Sequence, residues 1–444
     1  MRNSTPYFQS HEFHSMHSKK ILLTNFSRAI YSDSPCIRPD HETQLIDYIA
    51  LEKPEGVLTR GAGLSYNDSC LNKDGLIIDT NRLNHLIHFD SNSGIAICQG
   101  GVTFKDLFLL HPDFIPPVMP GTLHATVAGG IAHDVHGKNN HLEGSFGHHI
   151  EWLELIINNK KHYCSRKENP SLFHATLAGL GLTGIITRIA IRLKKASRSV
   201  QVENIPFNSL TALINQMSSD VMNHDYQVAW LDLLNTEQRG ILSVADHCPS
   251  TIYQEKTTHS IPKLPLRLIR SWNMKLFNKY FFKNKKKKEE LSLEEFNNPL
   301  DKIGHWNRLY GPGGLIQFQA VFDQDKGAHT LDQLVKLIQL YKATPTLAVL
   351  KLFTQPGAGL LSFCKPGFTL AVDFIYNAQA KQAISAMNQL ITEINGRIYL
   401  AKDLLLKPAQ FQKMYPEQEH FSQILTNHEC SMKSDLSKRL EITQ

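Results

Sequence analysis

Three glycine-rich segments carry the residue types that hold an anionic ligand through backbone N–H groups. They are Arg60-Gly-Ala-Gly-Leu-Ser-Tyr-Asn-Asp68, Pro120-Gly-Thr-Leu-His-Ala-Thr-Val-Ala-Gly-Gly130 and His133-Asp-Val-His-Gly-Lys-Asn-Asn-His141. Glycine lets a main chain approach a phosphate closely, and Ser and Thr hydroxyls add donors. Taken singly, each also reads as an ordinary turn. The first is not a GxGxxG dinucleotide fingerprint, because Tyr66 stands where the third glycine belongs, so a nicotinamide site is not supported.

Three further groups could do chemistry. His133, His136 and His141 have a spacing that suggests a metal, but Gly137 and two asparagines make the segment a loop, and no metal is expected. Lys402 sits in Tyr399-Leu-Ala-Lys-Asp403, read as an apolar strand ending in charge; composition alone makes Lys402 and Asp403 a surface pair. Gln317 and Gln319 alternate with Phe318, so on a strand the two amides share one face, an unusual choice for a core.

The elements that must position these groups follow from hydrophobic period. In the first part, 75–79, 94–98, 150–158 and 184–193 read as strands, 103–110 as a helix, and 158–160 as a hairpin turn. Beyond 196, strands at 227–231, 314–322, 347–353 and 368–374 alternate with helices at 330–341 and 378–394. The fold class is α+β, with an antiparallel sheet backed by helices in the second part. At 444 residues the chain is too long for one core. The expected domains are 1–195, 196–395, and a C-terminal segment 396–444 that returns to the first.

Composition narrows the function classes. With 42% hydrophobic and 20% charged residues the chain is globular rather than disordered or fibrous. Seven scattered cysteines without a CxxC pair argue against a disulfide framework or zinc ribbon and suit a reducing compartment, so a cytoplasmic location is expected. No run of about 18 apolar residues occurs, and the first 20 residues are polar and His-rich, unlike a signal peptide. Much of the +6 net charge lies in one run, from Lys275 to Lys288.

The order and spacing of the motifs are more specific than any one of them. RGxGxSYxD, PGTxxxTVxGG, HGKNxH, Gly144-Ser-Phe-Gly147 and Gly179-Leu-Gly-Leu-Thr-Gly184 follow one another. Together they resemble the FAD-binding half of the vanillyl-alcohol oxidase / p-cresol methylhydroxylase (PCMH-type) superfamily. Within it the chain is most similar to the decaprenylphosphoryl-β-D-ribose 2'-oxidase family, and more distantly to the aldonolactone oxidases. The likeness returns in Tyr310-Gly-Pro-Gly-Gly314, Val372-Asp-Phe374, Tyr399-Leu-Ala-Lys-Asp403 and Arg439-Leu-Glu441.

The resemblance implies a flavoprotein that oxidises a sugar alcohol carbon by hydride transfer to flavin N5. It implies that the loop of Arg60, Gly61, Ala62, Gly63, Leu64, Ser65 and Tyr66 wraps the FAD pyrophosphate. Gly121, Thr122, Thr126, Gly129 and Gly130 would line the dinucleotide path. His133, His136, Gly137, Lys138 and Asn139 would lie beside the flavin ring, with Gly184, Ile186 and Tyr399 also in its site. Lys402 and Tyr66 become the catalytic candidates, and Gln317, Gln319, Lys351, Phe353, Thr369 and Lys402 the substrate ligands. FAD would be non-covalent, because Leu64, where covalent members commonly carry histidine after the second glycine of the loop, has no nucleophilic atom. The implied companions are a lipid-linked pentose, a quinone acceptor and a short-chain reductase.

Two departures stand out. Thr369 and Ala371 replace the Asn and Cys of the resembled family, which alters the pocket wall and leaves its substrate in doubt. The rival readings are an aldonolactone or alditol oxidase of the same fold, or a non-catalytic FAD-binding protein that docks on a membrane or partner. The insert 249–299 holds Pro262, Pro265 and the lysine run, and reads as a mobile basic segment. Its apolar residues, among them Leu264, Leu268, Trp272, Leu276, Phe277 and Tyr280, interleave with Arg and Lys. That pattern also fits peripheral contact with the inner face of a membrane. No nucleic-acid module accompanies it, and no nucleic acid is expected.

Overall fold

The computed structural model describes residues 18–45, 55–235, 238–249, 259–263 and 265–443. Leu264, residues 250–258 of the insert and most of the His-rich N-terminal stretch lie outside the described residues. Among the described residues, two larger sheets form the first part, beside a short pairing of Phe114–Ile115 with Lys194–Lys195. One has strands β1 (Lys19–Thr24), β2 (Tyr31–Ile37), β3 (Val57–Arg60) and β4 (Leu76–Asp79), ordered β1-β2-β4-β3, with β2 and β3 parallel to β4. Buried on all four residues, β4 needs the unbroken apolar run Leu-Ile-Ile that it has.

The second sheet has β5 (Leu86–Asp90), β6 (Ile95–Gln99), β7 (Ile150–Ile157), β8 (Lys160–Ser165) and β9 (Ile185–Arg192), antiparallel in the order β5-β6-β9-β7-β8. Asn158 and Asn159 both have positive φ, 46° and 64°, the geometry of a two-residue hairpin that matches strand twist. The short helix α1 (Val127–Ala132) lies against this part and is capped by Thr126, whose hydroxyl accepts from Gly129 N.

An eight-stranded sheet follows: β10 (Ser199–Phe207), β11 (Tyr226–Asp232), β12 (Arg239–Cys248), β13 (Lys288–Ser292), β14 (Leu315–Phe322), β15 (Pro345–Phe353), β16 (Gly367–Ile375) and β17 (Arg397–Ile398). Their order is β13-β10-β12-β11-β15-β16-β14-β17, with every pair antiparallel. Ile316, Phe318, Ala320 and Phe322 alternate along β14 and join one core with Leu334 and Ile338 of α4 (Gly327–Leu340) and Met387 and Ile391 of α5 (Ala378–Glu393). The helix α2 (Leu210–Asp220) adds Leu213 and Met217 to that core. Alternation leaves Gln317 and Gln319 on the opposite face.

The insert is more regular than its sequence suggests. It contains the fourteen-residue helix α3 (Ser271–Asn284), and its lysine run leads into β13, an edge strand paired with β10. Lys285 pairs with Glu289 and Lys288 with Glu203, so part of the run is tied to the sheet.

Two buried polar nodes hold the parts together. Asp134 accepts from Ser145 Oγ (2.8 Å) and Gly147 N (2.8 Å) nearby, and from Ala358 N (2.8 Å) and Ser362 Oγ (2.5 Å) more than 200 residues on. Arg439 reaches two carboxylates, Asp68 at 2.8 and 2.9 Å and Asp403 at 3.0 Å. It thereby ties the first glycine-rich loop to the segment carrying Lys402. Removing one partner from a buried pair typically costs about 3–5 kcal/mol, because the other charge stays buried and unmatched. Arg439→Ala should therefore lower unfolding stability by about that much in urea titration. An unchanged midpoint would show that the backbone donors of Asp403, Leu405 N and Leu406 N, suffice to hold this junction.

Candidate functional site

The first two glycine-rich segments meet. A side chain at Gly61 would strike the Thr126 hydroxyl, and one at Gly63 would strike the Arg60 guanidinium; Gly63 also has φ +67°. Arg60 donates to the carbonyls of Cys70 (2.7 Å) and Thr24 (2.8 Å), so its side chain braces the loop from behind. Residues Gly61, Ala62, Gly63, Leu64, Ser65 and Tyr66 are half-buried, and the Ser65 hydroxyl is buried without a hydrogen-bond partner. Gly121 faces open space, and Thr122 lies by Asp301, whose carboxylate accepts from Leu123 N at 2.9 Å. Gly130 packs on Phe104, while Gly184 precedes β9, which carries Ile186.

The three histidines diverge. His133 Nε2 lies 3.2 Å from Ser69 Oγ, His136 Nε2 3.0 Å from Gln319 Nε2, and His141 Nε2 2.8 Å from the carbonyl of His224. Burial, aided by the nearby Lys402 charge, lowers His133 to about 4. Burial lowers His136 well below its usual value, with Lys351 and Lys402 adding to the effect, so both rings are neutral near pH 7. The His136 ring packs against Phe353, Phe363 and Tyr399, with centroids 4.8, 5.7 and 5.4 Å away. Gly137 leads into Lys138, whose Nζ donates to the Phe296 carbonyl and lies 4.4 Å over that ring. Asn139 donates to the Pro117 carbonyl at 2.8 Å.

The eight-stranded sheet brings the remaining candidates to one face. Gln317 lies opposite Asp373, Gln319 opposite Ala371, and Lys351 opposite Thr369, with Phe353 two residues on. Gln319 Nε2 also lies 3.3 Å from Thr369 Oγ1, and Gln317 donates to Asp373 Oδ1. Asp373 Oδ2 and Gln317 Oε1 are buried without partners. Lys351 Nζ lies 3.5 Å from His136 Nδ1, and burial lowers its pKa to about 8.

Lys402 is not in a strand and is not half of a surface pair. Pairing with β14 ends after Tyr399, whose N–H reaches the Gln319 carbonyl at 2.9 Å, and the chain then turns, with Lys402 N donating to Tyr399 O at 2.9 Å. Asp403 goes to Arg439, while Lys402 Nζ stands 3.5 Å over the ring of Tyr66. Burial lowers the Lys402 pKa and raises that of Asp373; each opposes the shift of the other. Burial also raises the Tyr66 phenol well above its usual value, so it stays protonated. Tyr399 stacks on Phe363 at 4.6 Å and donates to the His133 carbonyl.

The structure thus brings Tyr66, His133, His136, Gln317, Gln319, Lys351, Phe353, Thr369, Tyr399 and Lys402 into one neighbourhood of side chains. Lys138 lies at its edge, close enough to Lys351 to feel its charge. Asp373 lies in Val372-Asp-Phe374, and the period-two rule that picks out Gln317 and Gln319 also puts it on one face with Thr369 and Ala371. Phe363 had no sequence signal, and Asp134, though inside the third glycine-rich segment, had none for its bracing role, since its partners Ala358 and Ser362 are distant in the chain.

Comparison with known proteins shows the family. Residues 35–187 match the family described as "FAD binding domain". Decaprenylphosphoryl-beta-D-ribose oxidase of Mycolicibacterium smegmatis is 30% identical over 439 residues, covering 91% of this chain and 93% of that protein. D-lactate dehydrogenase of Archaeoglobus fulgidus is 29% identical over 39% of this chain and 41% of its own length. A putative D-arabinono-1,4-lactone oxidase of Neurospora crassa is 27% identical over 34% of this chain and 27% of its own length. The chain belongs to the decaprenylphosphoryl-β-D-ribose oxidase family and is an FAD-dependent oxidoreductase.

Proposed function

We propose that the protein oxidises a hydroxyl-bearing carbon of a phosphorylated, lipid-linked pentose, with FAD held without a covalent bond. The observation that carries this reading is the set of three half-buried amines, Lys138 over the Phe296 ring, Lys351 beside His136 and Lys402 over the Tyr66 ring, each with its pKa lowered by burial. Isolated buried charges are costly, so an excess of cations calls for anions brought from outside. A substrate phosphate matches Lys138 and Lys351, and the name of the full-length relative supports such a substrate. A free lactone or alditol carries no charge for these two amines to meet.

The residues present fit FAD. Gly121 leaves an open approach, Gly61 and Gly63 keep the first loop tight, and the unpartnered Ser65 hydroxyl is a free donor. In this reading residues 60–66, 121, 122, 126 and 129 hold the dinucleotide, and residues 133–139 with Tyr399, Gly184 and Ile186 complete its site. The cofactor part comprises 1–195 and 396–444, and 196–395 caps it. FAD, when bound, supplies N5 as hydride acceptor. Lys402, fixed over Tyr66, places positive charge where negative charge develops. Gln319, set by His136 and Thr369, orients the reacting hydroxyl, and the free Oδ2 of Asp373 is available to take its proton. A quinone acceptor, a short-chain reductase partner and a position at the inner face of a membrane go with such a substrate. No helix among the described residues is long and apolar enough to cross a membrane.

The direct test is anaerobic bleaching of the flavin by prenyl-phosphate pentoses, lactones and alditols. Reduction by lactones or alditols alone would overturn the substrate assignment. Acid precipitation should leave all flavin in the supernatant as FAD, since Leu64 has no atom to bond it; flavin retained in the pellet would point to His136.

Lys402→Ala should keep its FAD but slow reduction by on the order of 100-fold, the loss of roughly 2–4 kcal/mol of electrostatic stabilisation. Wild-type stopped-flow rates in that variant would remove Lys402 from the chemistry.

Burial lowers Lys138 to about 7 and Lys351 to about 8, so both cations are present at lower pH and are lost as pH rises through those values. Sulfate, whose own charge is constant there, should compete with substrate about tenfold less well near pH ~9 than near pH ~6. A flat inhibition profile would separate these lysines from anion binding.

A further inference from the structure

Helix α3 has two unlike sides. One side docks on the sheet face that carries the site. Phe281 packs on Trp230 with centroids 4.9 Å apart, Asn278 donates to Asp232 at 2.8 Å, and Arg239 lies 4.5 Å over Phe282. Trp230 pairs with Val349, two residues before Lys351, so both point from the same face. Among the described residues the other side is left uncovered. Trp272, Leu276 and Tyr280 repeat every four residues along it, with Phe277 beside them, and each is more than half exposed. Leu266 and Leu268, just before the helix, are equally exposed. Of the sixteen exposed large apolar residues among the described ones, six lie in this stretch, where a scattered surface would have one or two.

Charge follows the same line. Lys275, Lys279 and Lys283 form a parallel row, and residues 266–288 hold nine Lys and Arg with no Asp or Glu. The chain is +6 overall, so everything outside this stretch is net acidic. Apolar and aromatic side chains flanked by lysines are what the headgroup region of an anionic bilayer accommodates. A second copy of this chain would bring nine like charges against nine, and a nucleic acid would leave six large apolar side chains in water.

A crevice of about 590 Å³ opens at the start of α3, lined by Arg267, Arg270, Trp272 and Lys275 and by Ile375. Ile375 ends β16 two residues past Asp373, and Ile269, also on the crevice wall, packs in one cluster with Tyr66 and Tyr310. The exposed patch is therefore continuous with the wall of the site.

We propose that α3 and residues 266–270 form a docking surface for an anionic lipid bilayer, set so that the crevice beside Ile375 faces the membrane. This deepens the proposed function, on which it rests only for why the site should face lipid. The FAD-loaded full chain would be sedimented with phosphatidylcholine/phosphatidylglycerol vesicles and with pure phosphatidylcholine vesicles. Binding is expected to the mixed vesicles, weakened by salt.

Two variants separate the two contributions: Lys275→Glu with Lys279→Glu and Lys283→Glu, and Trp272→Ser with Leu276→Ser and Tyr280→Ser. The charge-reversed variant should lose affinity by on the order of 100-fold, and the apolar variant should also lose binding. Both should keep wild-type flavin content and wild-type reduction by a short-chain, water-soluble substrate, which shows that they fold. Equal recovery with both vesicle types, or unchanged binding by the variants, overturns the proposal. So does a concentration-dependent dimer that the apolar variant abolishes. Failure of the substrate assignment would look different: no reduction by prenyl-phosphate sugars, with vesicle binding intact.

Discussion

Holding lysine ammonium groups out of water is the constraint around which this structure is arranged. Lys138, Lys351 and Lys402 are all buried enough to lose part of their proton affinity, and the carboxylate of Asp373 lies near enough to Lys402 to oppose that loss there. In water the same side chains would be indifferent to one another beyond a few ångströms; away from water their repulsion is felt, as the lowering of Lys138 by Lys351 and of Lys402 by Lys351 shows. Such a cluster persists only if the backbone that presents it is held by other interactions. The partial compensations are local: a carbonyl and an aromatic face for Lys138, the Tyr66 ring for Lys402, and the neutral His136 for Lys351.

The scaffold supplies that restraint at two points. Arg439, near the C-terminal end, spans the loop of Asp68 and the turn of Asp403, one residue beyond Lys402. Tyr66 N donates to the Ala401 carbonyl at 3.1 Å, so the ring and the amine that lies over it are fixed by neighbouring backbone. Asp134 does the same on the opposite side, binding residues 145–147 to residues 358 and 362 beside the third glycine-rich segment. Strand β14 connects the two, since its Gln319 carries a side chain to His136 and a carbonyl to Tyr399.

Much of this was legible in sequence where period and local chemistry decide the outcome. The strands from β4 to β16 that the period predicts form at their predicted places, and the Asn158-Asn159 turn has the positive φ its residues favour. Legibility failed where a distant partner decides. The segment 399–402 has the apolar look of a strand, but its pairing with β14 stops at Tyr399 and it turns. Lys402 and Asp403 look like neighbours that pair, yet Arg439, 36 residues on, takes the carboxylate. The insert reads as a solvated basic loop because of its prolines and lysines. It folds as α3 because Trp230, Asp232 and Arg239 offer one side of the helix a seat, and nothing local announces them.

The altered pocket wall bears on whether the site is intact. A pocket drifting away from function would lose its buried polar order first, because each unmatched group there is costly and nothing would maintain its geometry. Thr369 stands where the resembled family has an amide, but its hydroxyl still lies 3.3 Å from Gln319 Nε2, and His136 holds the same amide at 3.0 Å. Ala371, opposite Gln319 and Val349, removes a polar atom without leaving a donor or acceptor stranded. Two of the unmatched atoms, Gln317 Oε1 and Asp373 Oδ2, lie together on the same face, where a hydroxylated ligand would satisfy both. Two smaller wall residues with the polar framework kept fit the proposed catalytic site better than a non-catalytic flavin carrier.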